Sequence, residues 1–211
     1  MTFQISLEEG EILVKLARRA VEEYLKNKER IEIPEDIPDK FLENYGVFVT
    51  IKSIKKGEER LRGCIGYPYP SIPLAKAIIE AAINSATQDP RFPSLSQAEL
   101  ENVVFEVSVL TPPQLIEVEK TTEYPSKIKI GNDGLIIERG LNKGLLLPQV
   151  PLEHEWDEEE FLCNCGMKAG LSPDCWLLQD TKIHKFQAII FKEEEPRGEV
   201  KRRESEQGPV Q

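Results

Sequence analysis

The chain has 211 residues, 40% of them apolar, and 27 basic against 37 acidic side chains leave a net charge of −10. This composition excludes a disordered chain and a collagen, and the longest purely apolar run, residues 188–191, falls far short of the roughly 20 residues a membrane-spanning helix needs. The negative charge disfavours nucleic acid and anionic lipid as partners and leaves a small molecule or a partner protein as the expected one.

Ser6-x-x-Glu9 reads as a capping box, and Leu13, Leu16, Ala17, Ala20, Val21 and Tyr24 follow at helical spacing, so a helix is expected over about 7–28. Val47, Val49 and Ile51 alternate with Phe48, Thr50 and Lys52 as in a strand. A polar turn at 55–59 then leads into a return strand, Arg60–Gly66. Ser71, with Pro73 just inside it, is expected to start a second helix with Leu74, Ala75, Ile78, Ala82 and Ala86 as its buried stripe. Asp89-Pro90 ends that helix, and Ser96-x-x-Glu99 opens a further short turn. Val103–Leu110 alternates as a strand and closes at Pro112-Pro113.

Short apolar runs at 115–118, 127–130, 135–138 and 145–147, separated by Gly-rich turns, predict a meander of small strands. Asp157 opens a third strong helix that stops near Gly170, a C′ residue. A last strand is expected over about 182–191, and the charged stretch after it reads as a flexible tail. Strand neighbours joined by short turns favour an α+β fold built on antiparallel sheets over a parallel doubly wound one. The acidic N-terminus lacks the features of a secretory or mitochondrial signal, and four cysteines are too few for a disulfide framework, so a cytoplasmic location with reduced thiols is expected.

Leu61-Arg62-Gly63-Cys64-Ile65-Gly66 is the most informative stretch. Alternation along a regular strand puts Arg62 and Cys64 on one face, their Cα atoms about 6.6 Å apart. A guanidinium there favours thiolate over thiol, while Gly63 and Gly66 leave room for a ligand or for another backbone. A small buried cysteine and a bulge glycine explain the same residues without any chemistry. Glu106 and Ser108 lie two residues apart on the polar face of their strand, and if that strand neighbours the one carrying Arg62 and Cys64, the four offer a cation, a thiol, a carboxylate and a hydroxyl. Such a set suits acid–base chemistry, or equally an Arg62–Glu106 pair that holds two strands together. Contact between Arg62 and Glu106 is the expectation in both cases, since neither charge is stable when buried alone.

Leu61–Gly66 resembles the signature hexapeptide of the AMMECR-type family. Further blocks resemble that family in order: 86–92 with Asp89, Arg91 and Phe92, then 106–110, 134–136, 144–150, 156–162 and 168–171. The similarity spans about residues 7–191. It implies a larger α/β domain that contains both termini, a smaller domain with its own antiparallel sheet, and a hexapeptide strand facing a cleft between them. It also implies a pathway shared with Memo-like and radical-SAM proteins, but names no reaction. With the linker at Pro112-Pro113, the expected division is 1–113 plus 177–195, then 114–176, then a tail over 196–211.

The expected catalytic residues are therefore Cys64, Arg62 and Glu106, with Gly63, Gly66, Ser108, Arg91 and Gln149 as ligand-binding residues. The functions weighed are an enzyme using Cys64 in an interdomain cleft, and a non-catalytic module that binds a small anion, a peptide or a partner protein. The sequence identifies no cofactor. His154, Cys163, Cys165, Cys175 and His184 tempt a metal reading, but Cys163 and Cys165 project about 200° apart around one helix and match no zinc template.

Overall fold

The computed structural model describes residues 4–203. In the capping box, Glu9 N–H donates to Ser6 Oγ at 3.2 Å and Ser6 N–H to Glu9 Oε2 at 2.7 Å. Helix α1 (Leu7–Asn27) follows and ends at Lys28 in a left-handed conformation. The hairpin of β1 (Gly46–Lys55) and β2 (Glu58–Tyr67) precedes α2 (Leu74–Thr87). That helix does not use Ser71: Pro73 is its N-cap, and the Leu74 N–H donates to Glu43 O at 2.9 Å instead of to a side chain. Then come β3 (Val103–Leu110), β4 (Gln114–Leu115), β5 (Gly134–Arg139), β6 (Asn142–Leu146), the single turn α3 (Val150–Glu153), α4 (Glu158–Lys168), β7 (Lys182–Phe186), β8 (Ala188–Glu193) and β9 (Val200–Arg203).

The described chain divides into two compact units, 4–110 with 189–203, and 111–188. The first holds a five-stranded sheet in the order β2-β1-β3-β8-β9, in which β1 runs antiparallel to both β2 and β3. Val47, Val49, Ile51, Phe105 and Val107 share one core with Leu13, Ala17, Ile78 and Ala82 of the helices. Each of the larger side chains contributes about 1.5–3 kcal/mol by leaving water. Period-two alternation therefore sends Phe48, Thr50, Lys52, Glu106 and Ser108 to the opposite face.

The second unit holds an antiparallel sheet in the order β4-β7-β5-β6, cored by Leu135, Ile137, Phe161, Leu162, Cys165, Trp176 and Ile183. The architecture is α+β, with two sheets.

Three expectations need correction. Residues 127–130 form no strand, because the buried Asp133 carboxylate accepts the Lys129 N–H at 3.0 Å and ties the backbone into a loop. The stretch 182–191 is two strands in two sheets, broken at Gln187, whose N–H donates to Thr111 Oγ1 at 2.8 Å. Finally, the predicted tail contains β9, paired with β8 from Ile190↔Arg203 to Glu193↔Val200. Residues 204–211 of that tail lie outside the described residues.

Candidate functional site

Register brings three side chains into one row on the face of the first sheet away from the helices. Thr50 on β1 stands directly opposite Cys64 on β2 and directly opposite Glu106 on β3. The Thr50 hydroxyl donates to Cys64 Sγ at 3.2 Å. Lys52, two residues along the same face, places Nζ 2.9 Å from Glu106 Oε2. Ser108 lies in the next row, opposite Phe48, which is opposite Gly66.

Arg62 does not join this row. Ile51 pairs with Gly63 and Lys52 with Leu61, so Arg62 is the extra residue of a β-bulge and the expected alternation fails there. Its guanidinium forks onto Glu99 instead, with Nε at 2.8 Å from Oε1 and Nη2 at 3.2 Å from Oε2, and packs over the Phe92 ring. The expected Arg62–Glu106 contact is thus replaced by two pairs, Arg62–Glu99 and Lys52–Glu106.

A different arginine attends the cysteine. Asp89 accepts the Cys64 backbone N–H at 2.9 Å, while Arg91 bonds the Asp89 carboxylate through Nε and Nη2 at 3.0 and 2.8 Å. Arg91 Nη2 also donates to the Cys64 carbonyl at 3.4 Å. Both edge groups of the Cys64 peptide are thereby occupied, as a neighbouring strand would occupy them. On the inner side, the Ser85 hydroxyl of α2 accepts the Ile65 N–H at 2.8 Å and donates to Val49 O at 2.7 Å, bridging two residues that face each other across the ladder.

The two glycines serve packing. A Cβ on Gly63 would lie 2.0 Å from Ser85 O, so of the ligand and the backbone offered as neighbours in the sequence it is the α2 backbone that comes close. A Cβ on Gly66 would meet Phe48 Cδ1 and Val47 O, each at 2.4 Å. Gln149 belongs to the second unit, where it is the N-cap of α3.

Electrostatics at Cys64 oppose the expected activation. Burial pushes its thiol up, and the Thr50 hydrogen bond and the Arg91 charge offset this only in part, so the resting group is a neutral thiol. Hydrogen bonds from Arg91 hold Asp89 well below the usual carboxylate range, and those from Arg62 bring Glu99 down to about 2. Both folded values lie below unfolded values of about 4. Their contribution to stability is therefore complete above the unfolded pKa and is lost as pH falls through the folded one. The melting temperature is expected to decline below about pH 5. Asp89→Asn should lower it at pH 7 and flatten the acid decline, and parallel declines in the two proteins would contradict this.

In the second unit, Cys165 is fully buried and its thiol is pushed up to about 12 by burial; Leu135 O and Gly144 O are its neighbours at 3.6 and 3.7 Å. Among the described residues, no group of three or more His, Cys, Asp or Glu is placed to hold a metal ion. No described helix is long and apolar enough to cross a membrane.

The AMMECR1 family model matches residues 14–191. The chain belongs to the AMMECR1 family. It is 57% identical to Protein PH0010 of Pyrococcus horikoshii over 96% of this chain and 98% of that one, and 55% identical to a protein of Methanothermobacter thermautotrophicus over 90% and 97%. The crystal structure of the uncharacterised Pyrococcus horikoshii protein PH0010 matches with a TM-score of 0.85 over 95% of this chain and 99% of that one.

Within this AMMECR1 chain, the contacts add Thr50, Lys52, Asp89, Ser85 and Glu99 to the residues foreseen around Cys64 and Arg62. Thr50 and Lys52 carried a signal, since both lie on the polar side of an alternating strand. Asp89, two residues before Arg91, carried a weaker one. Ser85 sits on an apolar helix stripe and carried none.

Proposed function

We propose that this AMMECR1-family protein is an enzyme whose reacting group is the Cys64 thiol. The observation that carries this is the Thr50 hydroxyl 3.2 Å from Sγ, with Glu106 directly opposite Thr50 on the next strand. In the step envisaged, Sγ gives its proton, by way of the Thr50 hydroxyl, to the Glu106 carboxylate. The freed electron pair then bonds to an electrophilic carbon of the substrate while that carbon's bond to a leaving group, or its π bond to oxygen, breaks and its electron pair departs onto that atom, which Glu106 can then protonate. Between deprotonation and attack, Thr50 stabilises the negative charge on sulfur by donating to it. Arg91, whose side chain is 54% exposed and whose Nε and Nη2 are committed to Asp89, keeps Nη1 for an anionic group on a small-molecule or protein substrate. The family resemblance adds a pathway with Memo-like and radical-SAM proteins as the context for such a substrate.

A non-catalytic binding module is the second reading, and the neutral resting state of Cys64 favours it. The two separate in one experiment. A panel of anionic metabolites is screened by thermal shift, and each stabilising compound is then followed by mass spectrometry, for product and for adducts on Cys64. In the free protein, iodoacetamide should label Cys64 more slowly than a free thiol at pH 7. A stabilising compound should accelerate that labelling or be converted itself, and Cys64→Ala should bind it without converting it. A compound that stabilises the protein while leaving both its own mass and the Cys64 labelling rate unchanged supports the binding module and overturns the enzyme.

A further inference from the structure

The face of the five-stranded sheet away from the helices carries a string of charges, of which the Cys64 chemistry above uses only Glu106. Lys52 Nζ lies 2.9 Å from Glu106 Oε2 and 4.0 Å from Glu59 Oε2. Glu59 is held in turn by Lys192 of β8, whose side chain is only 2% exposed. Glu106 itself is 15% exposed, so its charge is poorly screened by water and needs the ammonium beside it.

Glu106 faces Cys64 along the row through Thr50, two strand spacings or about 9.6 Å away. An unopposed carboxylate at that range disfavours a thiolate, and an ammonium in contact with it cancels most of its field. The remaining charged groups near Cys64 are Asp89 and Arg91, which bond each other at the outer edge of β2. Near Glu59 the others are Lys192 and Arg203. Lys52 is therefore the cation in contact with Glu106 among the described ion pairs.

We propose that Lys52 is a positioning residue for the chemistry of Cys64: it holds and neutralises the Glu106 carboxylate, while Glu59, anchored on Lys192, fixes its other side. This deepens the Proposed function, since it rests on Cys64 as the reacting group. Lys52 sets the balance between the pull of Glu106 on the thiol proton and its repulsion of charge on sulfur.

The test is the pH profile of Cys64 alkylation by iodoacetamide, resolved from Cys163, Cys165 and Cys175 by peptide mass spectrometry on the full chain. Lys52→Met should move the inflection to higher pH and slow Cys64 labelling at pH 8 by about threefold. Lys52→Arg should restore the original profile, and Glu106→Gln should speed labelling. The double variant Lys52→Met/Glu106→Gln should follow Glu106→Gln, because Lys52 acts through that carboxylate. An unchanged profile in Lys52→Met, or a double variant as slow as Lys52→Met, overturns the proposal. Labelling of the buried Cys165 reports any opening of the fold. If it rises in Lys52→Met, the Glu106→Gln protein decides, and an unchanged Cys64 rate there overturns the proposal. Substrate turnover does not enter these rates, so a protein that binds without reacting still displays the shift.

Discussion

Replacing Arg18 by Ala is expected to destabilise the protein by about 3–5 kcal/mol. Arg18 lies on α1 with its side chain 7% exposed, and Glu193 of β8 faces it with 3% exposed. Arg18 Nε and Nη2 each lie 2.6 Å from a Glu193 oxygen, and Nη2 also donates to Val103 O at 2.8 Å. Glu193 Oε2 accepts the Phe105 N–H at 2.9 Å, and the guanidinium packs over the Phe105 ring. Truncation would strand a buried carboxylate and leave the Val103 carbonyl without this donor. Urea denaturation measures the loss. Arg18→Leu combined with Glu193→Leu should cost clearly less than the sum of the single changes, since the double change removes both charges together. Additive costs would mean that the two side chains are not coupled.

Replacing Gly63 by Ala is expected to cost toward the upper end of about 1–3 kcal/mol. The added methyl would lie 2.0 Å from Ser85 O, which is backbone and has no rotamer to escape into. Either α2 or β2 must move. In either case the Ser85 hydroxyl leaves its position between the Ile65 N–H and Val49 O. Thermal melts of Gly63→Ala and Gly66→Ala separate the effects, because Gly66 meets a Phe48 ring that can rotate as well as the Val47 carbonyl. A Gly63→Ala protein as stable as the parent would mean that α2 does not pack this closely on β2.

The parts of the fold readable in the sequence were those fixed by local chemistry. Ser6 with Glu9 announces α1 because a capping box satisfies orphan donors from within four residues, and Asp157 announces α4, where the structure adds Glu160 as the second half of a box. The alternation in β1 and β3 likewise declares which face is buried. What the sequence withheld depends on register. Arg62 and Cys64 share a face only in a regular strand, and the bulge that separates them arises from how β2 meets β1. The Cys64–Thr50–Glu106 row joins residues from three strands, and no local pattern states which residue stands opposite which. Glu99 was legible as a capping residue, and it does accept the Ser96 N–H at 2.9 Å. Its second task, holding Arg62, depends on the distant bulge.

The break at Gln187 bears on the entropy of closing the larger sheet. β3 and β8 are neighbours in the first sheet, yet residues 111–187 lie between them in sequence. Bringing together the ends of so long a flexible loop costs entropy before any ladder bond forms. The second unit closes that loop itself: Thr111 N–H donates to Gln187 O at 2.8 Å and Gln187 N–H to Thr111 Oγ1 at 2.8 Å. Once those residues meet, the strands on either side emerge side by side, and β8 reaches β3 without a long search. Closure at Thr111 and Gln187 shortens the effective loop that pairing of β3 with β8 must close. Thr111 and Gln187 thus join the two ends of the second unit where the chain leaves β3 and enters β8.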